Sequence, residues 1–283
     1  MSSLPAPPRH ACWDAQWIVP DWPAPSAVRA LITTRAGGCS SGPFGAIDGT
    51  GGLNLGLGSA LADDRERDDP AMVQRNRERL RAGLPGVPHW LQQVHGCAIH
   101  EIDGGADPVA TVPQADAALT LRPGTVCCVL VADCLPVLLA DASGRGVAAV
   151  HAGWRGLAAG IIQNAVHGLR RRIGEPRAQL LAYLGPAIGP AHFVVGPEVR
   201  AAMQKLLPQA AAAFVAQPPD RERADLFALA RQALAQAGVT QTYGGGTCTA
   251  SDPERFYSFR RDRVTGRHAA LIWIEERHPA GMS

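Results

Sequence analysis

VCCVLVADCLPVLL at residues 126–139, followed by GVAAVHAGWRG at 146–156, decides how this chain folds. Each run is dense in small and β-branched apolar residues and then breaks abruptly, the pattern of a buried strand ending in a turn. The breaks fall at Asp133-Cys134-Leu135-Pro136 and at His151-Ala152-Gly153-Trp154-Arg155-Gly156. A strand fixes the backbone and the turn frees the side chain, so reactive groups at strand ends are where a scaffold presents chemistry. A thiol at 134 and an imidazole at 151 suit either a Cys–His nucleophile pair or two ligands of one zinc ion.

Other strands flank this pair. Residues 28–34 read as a strand by β-branched content, and further strands are expected near 98–102, 117–121, 179–184 and 268–274. Helical periodicity marks 68–84, with Asp68 or Asp69 as cap and Pro70 in the first turn, and 155–171, 196–207 and 224–237. Residues 1–26 are Pro-rich and read as an extended arm. The Gly- and Ser-rich stretch from 37 to about 64 reads as a long loop, and the Ala-rich run 209–216 as a helix end or surface loop. Strands in clusters with helices between them give an α/β or α+β class, a single domain of mixed β-sheets flanked by helices over 27–278, with a tail at 279–283.

Composition narrows the function. The chain has 283 residues, 46% hydrophobic and 18% charged, with a net charge of +2. That balance makes no case for nucleic acid or an acidic membrane surface as partner. No stretch approaches the roughly 20 apolar residues of a membrane helix, and the first residues lack a signal-peptide pattern, so a cytoplasmic protein with reduced thiols is expected. Most of the seven Cys then read as inert core residues, Cys127 and Cys128 among them. Oligomeric state is not legible.

A third residue joins the pair. Trp90-Leu91-Gln92-Gln93-Val94-His95-Gly96 is another strand-to-turn transition. One Cys and two His leave a tetrahedral position open, the pattern of a catalytic zinc site. The separations are long and irregular, so spacing alone leaves room for three unrelated residues. Asp133 is expected to point away from Cys134 or to orient a ligand. Trp154 stacks on a ring or packs on the sheet, Cys248 lines the site or the core, and His89, His100 and His192 have no partner pattern. Residues 185–190 read as an anion-cradling turn or as a loop stiffened by proline.

Seven motifs now stand in order: TTRAGG at 33–38, NLG at 54–56, QVHG at 93–96, ADCLPVLL at 132–139, HAGWRG at 151–156, GPAIGP at 185–190, and CTASDPERFYSFRRDRVTGRHAALIWI from 248. Together they resemble the YfiH-like proteins, known by an older label as laccase-domain multicopper polyphenol oxidases and by a newer one as purine nucleoside phosphorylases. Some members are called peptidoglycan editing factor. The resemblance covers nearly all of Thr33 to Ile274. It implies a mixed α/β fold distantly similar to cysteine-hydrolase toxins. It implies that His95, Cys134 and His151 are metal ligands and catalytic residues, with Zn2+ as cofactor and Cu2+ as an alternative. It further implies phosphorolysis of adenosine, inosine and methylthioadenosine, with nucleoside and phosphate as small-molecule partners, and deamination of adenosine. A phosphate dianion in that reaction makes Arg35, Arg155 and Arg260 candidate substrate contacts, because guanidinium forks clamp phosphate oxygens; each has the alternative of pairing with an acid such as Asp133 or Asp252.

Two rivals remain at this stage. A Cys–His hydrolase or amidase acting on peptidoglycan precursors would use Cys134 as nucleophile and His151 as base. A metal-bearing binding protein is the non-enzymatic class. The copper-oxidase label fits poorly: multicopper sites use His-x-His pairs, and the nine His here include none.

Overall fold

The computed structural model describes residues 16–58, 67–102 and 112–276. Residues 1–15 of the expected arm, residues 59–64 of the expected loop and the expected tail at 279–283 lie outside the described residues.

The quoted stretch forms strands β6 (Val126–Val131), β7 (Leu135–Asp141) and β8 (Val147–Ala152). β7 and β8 pair antiparallel at the centre of a six-stranded sheet. Beside β8 lies β5 (Ala117–Thr120), and beyond it β4 (Ile99–Glu101). On the other flank are β9 (Leu180–Leu184) and β13 (Gln241–Gly244). β6 belongs to a different sheet, of order β1 (Val28–Ile32), β14 (His268–Ile274), β6 and β3 (Pro88–His89). A small third sheet joins β10 (Val194–Val195), β12 (Arg221–Ala224) and β11 (Phe214–Gln217). The mixed α/β reading is what the chain adopts.

Side-chain alternation on β7 and β8 explains why both runs are apolar throughout. Val137, Leu139, Ala148 and Val150 face helices α3 (Ile161–Ile173) and α5 (Leu226–Gln236). Leu138, Ala140, Val147 and Ala149 face the second sheet, against Cys127, Val129, Ala270 and Ile272. The far side of that sheet, with Cys128, Leu271 and Trp273, is covered by Leu53, Leu55 and Leu80, the last from α1 (Pro70–Arg81). The layers run helix, sheet, sheet, helix. Burying each such Leu or Ile is worth roughly 1.5–3 kcal/mol. Surface ion pairs such as Arg171–Glu101 and Arg29–Glu275 contribute at most about 1 kcal/mol each. Packing of the two sheets therefore sets the frame.

The expected elements are present with several corrections. α1 is capped by Asp69, whose carboxylate accepts from the Ala71 N–H, with Pro70 in its first turn. The helix expected over 155–171 is two, α2 (Trp154–Ala158) and α3, because Gly160 takes φ 85°, a left-handed conformation that ends one helix and starts the next. The expected long loop opens with β2 (Ala36–Ser40), and its NLG motif is a clasp. Leu53 and Leu55 are buried, and the Asn54 amide bonds Gly56, Asp68 and the Arg267 N–H. Residues 209–216 contain a short 3-10 helix, Ala210–Ala213, that runs directly into β11. The described end of the expected arm is docked: Ile18 exchanges two backbone bonds with Ile32, and Trp17 is buried. Helices α4 (Pro197–Gln204) and α6 (Phe259–Asp262) complete the fold. Among the described residues no helix is long and apolar enough to cross a membrane.

Candidate metal and active site

The chain crosses from one sheet to the other in three residues, Ala132 to Cys134, between β6 and β7. So short a crossover needs a sharp bend, and Asp133 supplies it at φ 82°. Such a conformation in a residue with a side chain costs about 1–3 kcal/mol and persists only where surroundings over-determine it. Here they do. The Asp133 carboxylate accepts from the Thr249 hydroxyl at 2.6 Å and the Arg260 N–H at 2.6 Å, and its carbonyl accepts from the Ile188 N–H at 2.9 Å. The strand does not persist at Asp133, so alternation does not set its direction; its bonds to Thr249 and Arg260 do, and they brace the bend that presents Cys134.

His95 occupies a second strained turn, at φ 59°. Gln93 anchors the approach by bonding both the N–H and the carbonyl of Leu130 on β6. The turn itself is wrapped around one carboxylate. Asp116, fully buried before β5, accepts from the backbone N–H of His95 at 2.9 Å, Gly96 at 2.7 Å and Val94 at 3.2 Å.

The same carboxylate holds His151. Its Oδ1 lies 2.8 Å from His151 Nδ1, and its carbonyl accepts the His151 N–H at 2.7 Å. With Nδ1 so engaged, Nε2 is the nitrogen left to face the site. Burial disfavours the Asp116 anion, but bonds from His151 and the Gly96 and Val94 N–H groups outweigh it and lower its pKa.

The three expected residues come together. Ligand atoms of His95, Cys134 and His151 all lie within 4.8 Å of one another, with Cys134 Sγ 3.7 Å from His95 Nε2. The imidazole rings sit edge to face, their centroids 4.8 Å apart. Burial raises the pKa of the thiol, but the neighbouring His151 and His95 win and bring Cys134 down to about 6. Burial likewise lowers His151, while the Cys134 thiolate and Asp116 carry it up to about 9.

This donor set fits a metal ion. Zinc–sulfur and zinc–nitrogen bonds at tetrahedral angles place S and N about 3.5 Å apart, close to the 3.7 Å found. Gly153, which caps α2, passes directly over the donors. A Cβ there would lie 3.0 Å from Cys134 Sγ and 3.0 Å from His95 Cδ2, so glycine keeps the approach open. Among the described residues this is the one cluster of its kind, too few donors for a multicopper centre.

The arginines are distributed differently. The Arg35 guanidinium, buried over Tyr257, donates to the carbonyls of Gly45, Pro43 and Pro253, so it ties loops together instead of reaching out for phosphate. Arg260 donates to the carbonyls of His192 and Val194 over the Phe193 ring, and its backbone serves Asp133. Arg155 is exposed, its guanidinium over the Trp154 ring. The GPAIGP loop is the proline-stiffened kind. Its N–H donors at Gly185, Ala187, Ile188 and Gly189 are spent on Pro136, Thr247, Asp133 and Cys248.

A family model described as multi-copper polyphenol oxidoreductase laccase matches residues 29–275. The chain belongs to this laccase-domain, YfiH-like family. A Pseudomonas aeruginosa member named purine nucleoside phosphorylase is 49% identical over 92% of this chain and 99% of its own length. The Escherichia coli purine nucleoside phosphorylase YfiH is 45% identical over 91% and 98%. Among solved members, a Neisseria meningitidis protein superposes with TM-score 0.81 at 41% identity, covering 92% of this chain and all of its own. YlmD from Geobacillus stearothermophilus gives TM-score 0.77 at 31% identity, covering 89% and 93%.

What the residue reading missed in this laccase-domain site is Asp116, which orients the His151 imidazole and fixes the backbone turn that carries His95. Its signal was present: a lone acid immediately before the apolar AALT strand, the same polar-residue-at-a-strand-end pattern that marked Cys134.

Proposed function

We propose that this chain is a zinc-dependent purine nucleoside phosphorylase acting on adenosine, inosine and methylthioadenosine, with a second activity that deaminates adenosine. The observation that carries the reading is the convergence of His95, Cys134 and His151 on one point, braced by Asp116. The names of relatives at 45–49% identity support it. His95 Nε2, Cys134 Sγ and His151 Nε2 would hold the ion, and copper is the alternative occupant. A zinc ion supplies Lewis-acid polarisation in such a site. The chain's own residues do the rest. Asp116 fixes the tautomer and direction of His151 and the backbone of His95. Gly153 leaves room for the nucleoside, and Arg155 stands where a ribose or phosphate oxygen can meet it.

A second reading has its own observation. Cys134, His151 and Asp116 form a thiol–imidazole–carboxylate line, with the Asp116–His151 bond at 2.8 Å and the thiol pKa near 6. That line would serve a hydrolase or amidase acting on wall precursors.

One experiment separates the two. Purified protein is assayed for zinc by atomic emission and for ribose 1-phosphate release from inosine with phosphate. About one zinc per chain, phosphorolysis, and loss of both in Cys134→Ala support the phosphorylase. Metal-free protein that turns over an amide through a covalent Cys134 adduct supports the hydrolase. Full phosphorolysis by Cys134→Ala removes the site assignment altogether.

A further inference from the structure

A second concavity opens beside the site. It measures about 330 Å3 and is lined by Phe44, Gly56, Asp68, Thr265 and Phe259, with three arginines, Arg67, Arg263 and Arg267. The size lies at the low end for small-molecule sites and suits a compact ligand. Three arginines and one acid line it, and that acid is already engaged: Asp68 accepts from Ser40, Asn54 and the Asp69 N–H.

Three features mark this cavity as built for an anion. The Arg267 guanidinium donates only through Nη1, to the carbonyls of Thr265 and Gly266, and has no carboxylate partner among the described residues. Burial pushes its pKa below the ordinary arginine value, and a cation withdrawn from water with no carboxylate bonded to it is costly. The Thr265 hydroxyl is buried with no hydrogen-bond partner, another cost that a ligand oxygen would relieve. Arg263 sits at φ 61°, a strained backbone that cleft-lining residues adopt when side-chain direction matters.

Position ties the cavity to the metal cluster. In the antiparallel pairing of β14 with β6, His268 stands opposite Val131. Continuing that register by one residue sets Arg267 opposite Ala132, two residues from Cys134. The charges of Cys134 and Asp133 act on Arg267 accordingly.

We propose that this cavity binds inorganic phosphate, held by the guanidinium groups of Arg263 and Arg267 and the hydroxyl of Thr265. The arrangement suits a tetrahedral dianion, since guanidinium forks each take two oxygens and the hydroxyl takes a third. The identity of the anion rests on the phosphorylase reading; the existence of an anion site rests on the cavity alone.

The test is calorimetric titration of full-length protein, as purified, with inorganic phosphate, using sodium acetate as a carboxylate control. Arg263→Met removes an exposed guanidinium, and Thr265→Val keeps the side-chain shape while deleting the hydroxyl. Thermal melts check that both variants fold. Each variant is expected to bind phosphate roughly ten- to a hundredfold more weakly, with acetate binding weak throughout. Phosphate that fails to bind the parent protein, binds both variants as tightly, or is lost only in Arg155→Met overturns the proposal, as does tighter binding of acetate than of phosphate. A parallel phosphorolysis assay keeps the two claims apart. If phosphate binds through Arg263 and Thr265 yet inosine yields no ribose 1-phosphate, the site stands and the phosphorylase reading fails. If phosphorolysis proceeds with a phosphate KM unchanged in both variants, the reading stands and the site fails.

Discussion

Asp116 does more for this site than any residue that touches it. One carboxylate fixes the His95 turn through three N–H groups and the His151 ring through Nδ1, so a single substitution disturbs two of the three donors. Asp116→Asn preserves volume but leaves an amide where three backbone donors and a ring nitrogen expect an anion. Metal affinity should fall roughly 10- to 100-fold, read by competition with a fluorescent zinc chelator, while the melting temperature changes far less than the affinity. An unchanged affinity would mean that the ligands need no brace. Cys134, His151 and His95 were legible because each is a reactive residue at the end of an apolar run. Asp116 sits at the start of one, and its partners are 20–22 and 35 residues away. The roles of Arg35 and Arg260 were not legible because their partners are carbonyl groups, which every residue carries alike.

Among the elements, β14 carries a feature that no periodicity announces. His268 opens the strand, fully buried, beside Phe256, and neither ring nitrogen has a hydrogen-bond partner. Burial, aided by the charge of Arg267, pushes its pKa down to about 3. The folded state thus keeps the ring neutral, while the unfolded chain takes up a proton near pH 6.5. Below that pH the unfolded state binds more protons, so stability contributed by neutral His268 is complete above about 6.5 and is lost as pH falls toward 3. Between pH 7 and pH 5 the loss is about 2 kcal/mol. His268→Leu should remove this slope, and urea denaturation at the two pH values measures the difference. A parent and variant that lose stability equally over this interval would show that His268 is protonated in the fold. The strand itself was readable from HAALIWI. That its first residue is an orphaned imidazole follows from two sheets closing over it, which local sequence does not encode. The splitting of α2 from α3 is different in kind, since Gly160 stood in plain view inside an apolar helical pattern.

At the scale of the whole molecule, the cluster of three donors spans both sheets. Cys134 sits where the chain leaves the four-stranded sheet for the six-stranded one. His151 ends β8 at the centre of the latter, and His95 lies on a turn that Gln93 ties to β6 in the former. An ion bound by all three would therefore link the two layers whose packing defines the fold. A ligand that binds only the folded state stabilises it according to its concentration over its dissociation constant, by about 4 kcal/mol at a thousandfold excess. Zinc at that excess should raise the urea midpoint of the parent protein, with the slope of the transition unchanged, and EDTA should reverse it. Cys134→Ala, retaining two imidazoles without the thiolate, should lose most of this response although its metal-free stability stays close to the parent's. Zinc that stabilises both proteins equally would place the linking ion elsewhere in the chain, and zinc that stabilises neither would leave the three donors as a catalytic thiol–imidazole pair with an adjacent histidine.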